Sequence, residues 1–183
     1  LARLRIIAGE FGGRFISADT GRATHPMGDR PRSGFFNTLE SRGVLTGAKV
    51  LDAFAGTGAL GFEALSRGAS SVDFIEQDKR AQKVIVDNIT TLNVADRTKL
   101  FKTGVGNWTK TVENVKYDII FADPPYHDPQ FSTAFKLLNY LNPNGLMILS
   151  YMSRETAPNP NGVVVVDKRS YGEASLAIYQ LDR

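Results

Sequence analysis

The sequence predicts an α/β fold: a mostly parallel sheet covered by helices on both faces, with an antiparallel hairpin at its end. Three observations predict it. Short apolar runs alternate with amphipathic stretches from residue 50 to residue 151, the pattern of successive strand–helix units. The first of these runs ends in a glycine-rich turn, as strands that feed a ligand site do. The last two runs, 163–168 and 174–181, are separated only by Ser170-Tyr171-Gly172-Glu173. That gap is too short for a helix and calls for antiparallel pairing at a sheet edge.

Each element follows in order. Residues 3–7 and 14–17 read as short strands around Glu10-Phe11-Gly12-Gly13, a hairpin signal. Residues 20–30, rich in Gly, Thr, Pro and Asp, read as loop. Phe35, Phe36 and Leu39 place a helix over 31–41. Val50-Leu51-Asp52-Ala53-Phe54 is a buried strand, and 59–67 a helix closed by Gly68. A strand at 71–76 precedes a helix over 79–92, whose Ala81, Val84, Ile85, Ile89 and Leu92 share one face. Strands follow at 99–103, 117–122 and 146–151, with a helix at 131–141. No repeat and no linker divides the 183 residues, so one domain is expected: a main body over 44–183 with a small basic extension over 1–43.

Composition narrows the function classes. There is no cysteine, which excludes a disulfide framework, a thiolate metal site and a thiol nucleophile, and fits a cytoplasmic location. No apolar run approaches the roughly 20 residues of a membrane span, and the charged start Leu1-Ala2-Arg3-Leu4-Arg5 does not read as a leader. No membrane and no metal partner is expected. The net charge is +3, and all of it lies in residues 1–43, which hold seven arginines, no lysine and four acids. Arginine suits phosphate through its bidentate fork, so this stretch suits a polyanion; a solvated basic face would look the same.

The glycine-rich turn reads Asp52-Ala53-Phe54-Ala55-Gly56-Thr57-Gly58-Ala59-Leu60-Gly61. It lacks the Gly-Lys-Ser/Thr of a phosphate-cradling loop. Asp52 would repel a pyrophosphate but suits a cation such as a sulfonium or ammonium group; capping the next helix is its plainer role. Glu76 closes the second strand, 18 residues after Gly58, where an acid can accept both ribose hydroxyls. Together they favour an adenosine ligand with a charged amino-acid tail over a dinucleotide.

At the fourth strand, Tyr117-Asp118-Ile119-Ile120-Phe121-Ala122 leads into Asp123-Pro124-Pro125-Tyr126. The prolines stiffen the turn, which can hold the Asp123 carboxylate and the Pro124 carbonyl as converging acceptors. An exocyclic amine is a weak nucleophile because its lone pair is delocalised into the ring. Two acceptors on its N–H bonds favour a pyramidal nitrogen and free that pair for in-line attack on a methyl. Tyr126 would stack on the base. Catalysis of this kind is positioning and electrostatics.

On these residues the chain resembles the RsmD-like methyltransferases that act on guanine of small-subunit ribosomal RNA. The resemblance runs through Leu4-Arg5-Ile6-Ile7-Ala8-Gly9, Asp29-Arg30-Pro31-Arg32 before Phe35-Phe36-Asn37, the glycine-rich turn, Asp123-Pro124-Pro125-Tyr126 and Tyr171-Gly172. It implies a Rossmann-like, seven-stranded class I methyltransferase sheet with S-adenosylmethionine as donor and the guanine 2-amino group as acceptor. It also implies ribosomal RNA or its assembly particle as the partner; a monomer is expected. Cofactor contacts are implied for Asp52, Phe54, Ala55, Gly56, Gly58, Glu76, Thr103 and Asp123. Asp123, Pro124 and Tyr126 would meet the target base; Arg30, Arg32 and Asn37 would meet RNA or donor at the pocket mouth. Two departures stand out. Pro31 and Ser33 interrupt a segment that usually reads like Asp-Arg-Val-Arg-Glu. Thr103-Gly104-Val105-Gly106-Asn107 lacks the usual acid or amide beside the adenine, leaving Thr103 or backbone for that contact.

Other classes fit less well. A protein-glutamine enzyme usually carries Asn where Asp123 stands, and a DNA-adenine enzyme would want a separate DNA-reading domain. A non-catalytic RNA-docking module has no use for Asp123-Pro124-Pro125-Tyr126. A nucleotide-dependent oxidoreductase would prefer NAD to S-adenosylmethionine. His25 and His127 read as loop residues, Trp108 as helix packing, and Arg169 and Tyr171 as hairpin geometry.

Overall fold

In a computed structural model, residues 2–18 and 27–182 are described. Strands β1 (Ala2–Arg5) and β2 (Phe15–Ala18) form a two-stranded antiparallel sheet. Helix α1 (Asp29–Ser41) leads to the main sheet, built from β3 (Lys49–Ala53), β4 (Ser71–Ile75), β5 (Thr98–Phe101), β6 (Tyr117–Ala122), β7 (Leu141–Met152), β8 (Val163–Tyr171) and β9 (Ala174–Leu181). Between them run α2 (Ala59–Ser66), α3 (Lys79–Leu92), α4 (Val105–Thr111) and the single turn α5 (Phe131–Ala134). The strand order is β5-β4-β3-β6-β7-β9-β8, parallel from β5 to β7 and antiparallel through β9 and β8. This is the expected class I sheet with its terminal hairpin.

Side-chain alternation along the strands fills both faces. Val50, Ile119 and Phe121 point to the layer that holds α1, α2 and α3; Leu51, Ile120 and Ala122 point to the layer with Trp108 and Leu137. Phe35 and Phe36 of α1 pack edge-on or tilted against Phe121, with centroids at 6.0 and 5.6 Å. Helix α1 is thus part of the central core. It starts two residues before the expected point, which puts Pro31 in its first turn, where its missing N–H has no helical partner to lose. The expected loop at 20–30 lies outside the described residues up to residue 26; Asp29 and Arg30 belong to α1.

Two elements differ from expectation. Helix α4 was not foreseen, because Val-Gly-Asn-Trp-Thr-Lys-Thr has poor helix propensity. Trp108 explains it: fully buried, its ring packs 4.6 Å from Tyr140 and 5.8 Å from Phe101, so tertiary packing overrides propensity. The expected helix over 131–141 is one α turn followed by a 3-10 stretch, Phe135–Tyr140. β7 then begins at Leu141, opposite Tyr117, and resumes at Leu146 opposite Ile119. Asn142 bonds the Asp118 carboxylate at 2.8 Å inside that irregularity.

The segment between β1 and β2 is riveted to α2. The buried Glu63 carboxylate accepts the amides of Ile7 and Ala8 at 2.9 and 3.2 Å and Arg67 Nε at 2.8 Å. The Ser66 hydroxyl donates to the Ala8 carbonyl and accepts the Phe11 amide. Gly9, at φ +85, passes so near α2 that a Cβ would stand 1.9 Å from the Ser66 carbonyl oxygen. On the other side, Asn88 of α3 bonds both backbone groups of Ser17 at 2.7 and 2.9 Å and also the Thr57 carbonyl at 3.3 Å.

Candidate active site

The carboxyl ends of β3, β4 and β6 open into one cleft of about 960 Å³, at the large end for small-molecule sites. The structure brings Asp52, Phe54, Ala55, Gly56, Glu76, Thr103, Asp123, Pro124, Tyr126 and Arg32 into its wall. Gly58 does not line it. It serves the turn from behind as the left-handed N-cap of α2, and a Cβ there would stand 2.7 Å from Phe62. Arg30 and Asn37 also stay out: Arg30 is exposed on α1, and Asn37 accepts Arg67 Nη1 at 2.9 Å.

The glycine-rich turn is held by the acids around it. Asp52, 2 % exposed, accepts the Gly61 amide at 2.8 Å, so it does cap α2 while facing the cleft. Glu76 accepts the Gly56 amide through one oxygen and the Asp78 amide through the other, both at 2.7 Å. Each oxygen keeps a second lone pair for a ligand. Phe54 sits at φ +58, a left-handed conformation costing about 1–3 kcal/mol that collects at ligand sites. The Ala55 amide, bonded to the Ile75 carbonyl at 3.0 Å, holds the turn against β4.

At β6, burial pushes the Asp123 carboxyl above its ordinary range, and a hydrogen bond from Ser150 partly offsets this. The Ser150 hydroxyl, buried on β7, also lies 3.2 Å from the Tyr126 hydroxyl, so one side chain ties both residues. Burial likewise raises Asp52 well above the usual range, with Asp123 and Glu76 adding repulsion, and raises Glu76. Among the described residues no arginine or lysine pairs with any of these three acids. Tyr126 keeps 39 % of its surface exposed, as a stacking ring at a cleft mouth requires.

Arg32 is fully buried. It donates to the Arg5 carbonyl and to Asp29 and lies 3.9 Å from Glu63, while Nε and Nη1 have no hydrogen-bond partner. Sequence reasoning missed Gln77, Asp78, Arg80, the start of α4, His127, Gln130 and Glu173 in the wall. The first three follow Glu76 directly, and that adjacency was the available signal. His25 lies outside the described residues. Among the described residues no helix is long and apolar enough to cross a membrane, and no cluster of His, Asp or Glu could hold a metal.

The residues fit the expected donor. The cleft offers acids with no cationic partner among the described residues, which suits a cationic tail, and a Glu76 carboxylate with lone pairs left to accept hydroxyls. Sheet order and cleft together define a class I methyltransferase of the S-adenosylmethionine-dependent kind. The family described as conserved hypothetical protein 95 matches residues 4–180, and the chain belongs to it. The chain is 32% identical over 182 residues to ribosomal RNA small subunit methyltransferase D of Haemophilus influenzae, covering 97% of this chain and 93% of that one. It is 28% identical to the candidate rRNA methyltransferase YlbH of Bacillus subtilis, over 97% and 98% of the two chains. Among solved structures, a candidate methyltransferase of Escherichia coli superposes with a TM-score of 0.86 at 27% identity, over 99% of each chain. A candidate methylase of Haemophilus influenzae gives 0.82 at 30%, over 98% and 99%.

Proposed function

We propose that this chain transfers a methyl group from S-adenosylmethionine to the 2-amino group of a guanine in small-subunit ribosomal RNA, free or in an assembly particle. The observation that carries the reading is the convergence of Glu76, the glycine-rich turn and Asp123-Pro124-Pro125-Tyr126 on one cleft. Relatives named ribosomal RNA small subunit methyltransferase D support the RNA class. The bound donor supplies an activated methyl on a sulfonium. Glu76 holds the ribose hydroxyls, Asp52 faces the cationic tail, and Phe54, Ala55, Gly56 and Thr103 shape the walls, with Gly58 setting the turn.

Asp123 and the Pro124 carbonyl accept the N–H bonds of the target amine and favour a pyramidal nitrogen. Tyr126 stacks on the base, fixed by Ser150. The exposed basic side chains of the 1–43 extension, Arg30 among them, face the RNA, with Arg32 supporting the wall from α1; Asn37 acts through Arg67. The division between 1–43 and 44–183 is one of roles. A monomer in the cytoplasm completes the reading.

Asp123 must be ionised to accept those N–H bonds. Its carboxyl is raised, so transfer falls away as pH drops through a value above the ordinary carboxylate range. The test is tritiated-methyl transfer to unmethylated small subunits and to naked RNA. Label in one guanine is expected; label elsewhere, or none, defeats the reading.

A further inference from the structure

The sheet order sets the two ends of the reaction apart. β4 and β3 carry Glu76 and the glycine-rich turn, β6 carries Asp123, and β7 and β9 lie beyond β6 on the side away from the donor. β9 is antiparallel, so it starts where the parallel strands end: Ala174 pairs with Met152, the last residue of β7. The turn before it, Gly172-Glu173, therefore sits at the same edge of the sheet as Asp123. Tyr171 pairs with Ala174, and Gly172 at φ +66 supplies the left-handed residue such a two-residue hairpin needs. The Glu173 carbonyl accepts the Ser153 amide at 2.8 Å, which pins the turn. Glu173 lines the cleft from this exposed turn, and its carboxylate takes no hydrogen bond or ion pair from the described residues.

We infer that Glu173 selects the base: its carboxylate reads the Watson–Crick edge of the captured nucleobase and favours guanine, an inference that rests on the function proposed above. Guanine presents its N1–H beside the 2-amino group, so an acid accepts from N1–H while Asp123 and Pro124 take the amino hydrogens. Adenine presents a bare N1 lone pair beside its amine, which a carboxylate repels. A purine with an acceptor at N1 is refused for the same reason. Glu173 thus complements a donor edge, from a turn that the donor half of the cleft does not touch.

The experiment places guanine or 2,6-diaminopurine at the mapped target by ligating synthetic RNA into the small-subunit RNA. Both bases carry the 2-amino group; they differ at N1, a donor in guanine and an acceptor in diaminopurine, and at C6, a carbonyl in guanine and an amine in diaminopurine, so the change in preference on replacing Glu173 is what reads the N1 contact. The wild type is expected to prefer guanine in kcat/KM by roughly ten- to a hundredfold, the discrimination of a well-made base contact. Glu173→Gln can donate from its amide to N1 and narrows that preference by about tenfold. Its affinity for S-adenosylmethionine in calorimetry stays that of the wild type. An unchanged preference in Glu173→Gln overturns the inference while leaving guanine transfer intact. A wild type that labels no guanine overturns the proposed function, and the inference with it.

Discussion

Glu63 and three acids of the cleft, the buried Asp52 and Glu76 and the half-buried Asp123, are drawn back from water, yet the fold treats them in opposite ways. Glu63, 1 % exposed, is clasped by Arg67 at 2.8 Å, by the more distant Arg32 and by two backbone amides. Asp52, Glu76 and Asp123 receive backbone or hydroxyl donors and no cation among the described residues. The first arrangement neutralises charge and locks the N-terminal segment to α2. The second leaves charge uncompensated in a low-dielectric place, and the carboxyl groups respond by titrating higher. A fold that can supply arginines to one buried acid and withholds them from three others nearby has reserved those three. Under the proposed function their partners come from outside, as a cationic tail, ribose hydroxyls or an amine.

Four measurements sharpen or break this contrast, in order of size. Asp123→Ala should lower methyl transfer by roughly 10²–10³-fold, the cost of removing one positioned electrostatic group, with donor affinity in calorimetry retained. Undiminished transfer would remove Asp123 from the reacting centre. Glu63→Gln should act on stability instead. It removes the counter-charge shared by Arg32 and Arg67 and leaves them only the exposed Asp29 and Glu40, which costs about 3 kcal/mol, the low end for breaking a buried pair. At about 2–4 °C per kcal/mol in a domain of this size, the loss is plain in a melting curve, while transfer per folded molecule at low temperature persists.

Asp123→Asn should do the reverse and raise Tm by a few degrees at pH 7. The folded carboxyl is raised, so the ionised form is the one that destabilises. That cost is full above the folded pKa and fades as pH falls towards the ordinary carboxylate value, so the Tm gain should shrink at pH 4. A gain that grows on acidification would contradict the assigned sign. Ser150→Ala is the mildest: it removes the one hydroxyl shared by Asp123 and Tyr126, about two- to tenfold in kcat. Its acidic limb should move upward because the serine now lowers Asp123, and Ser150→Thr should restore it.

Much of this was legible in the chain. Alternating apolar runs gave the strands of the sheet, and Gly-rich and Pro-rich turns gave the two ends of the cleft, because local chemistry dictates turns. Helix α4 was not legible, since Trp108 makes it by packing on Tyr140, far along the chain. Nor was the fate of Arg32. A basic run reads as surface, and only the fold reveals that this guanidinium is fully enclosed beside Glu63. Ser150 and Glu173 were invisible for a related reason: strand and hairpin positions acquire meaning only when register sets them against β6.

Asn88 has a practical consequence for anyone trimming this protein. Its amide spans Ser17 and the Thr57 carbonyl from a position 1 % exposed. Excision at residue 44 would therefore not follow a seam. It would bare an amide and the Glu63 carboxylate at once and slacken the glycine-rich turn at Thr57, so a minimal fragment of this enzyme must keep its first eighteen residues.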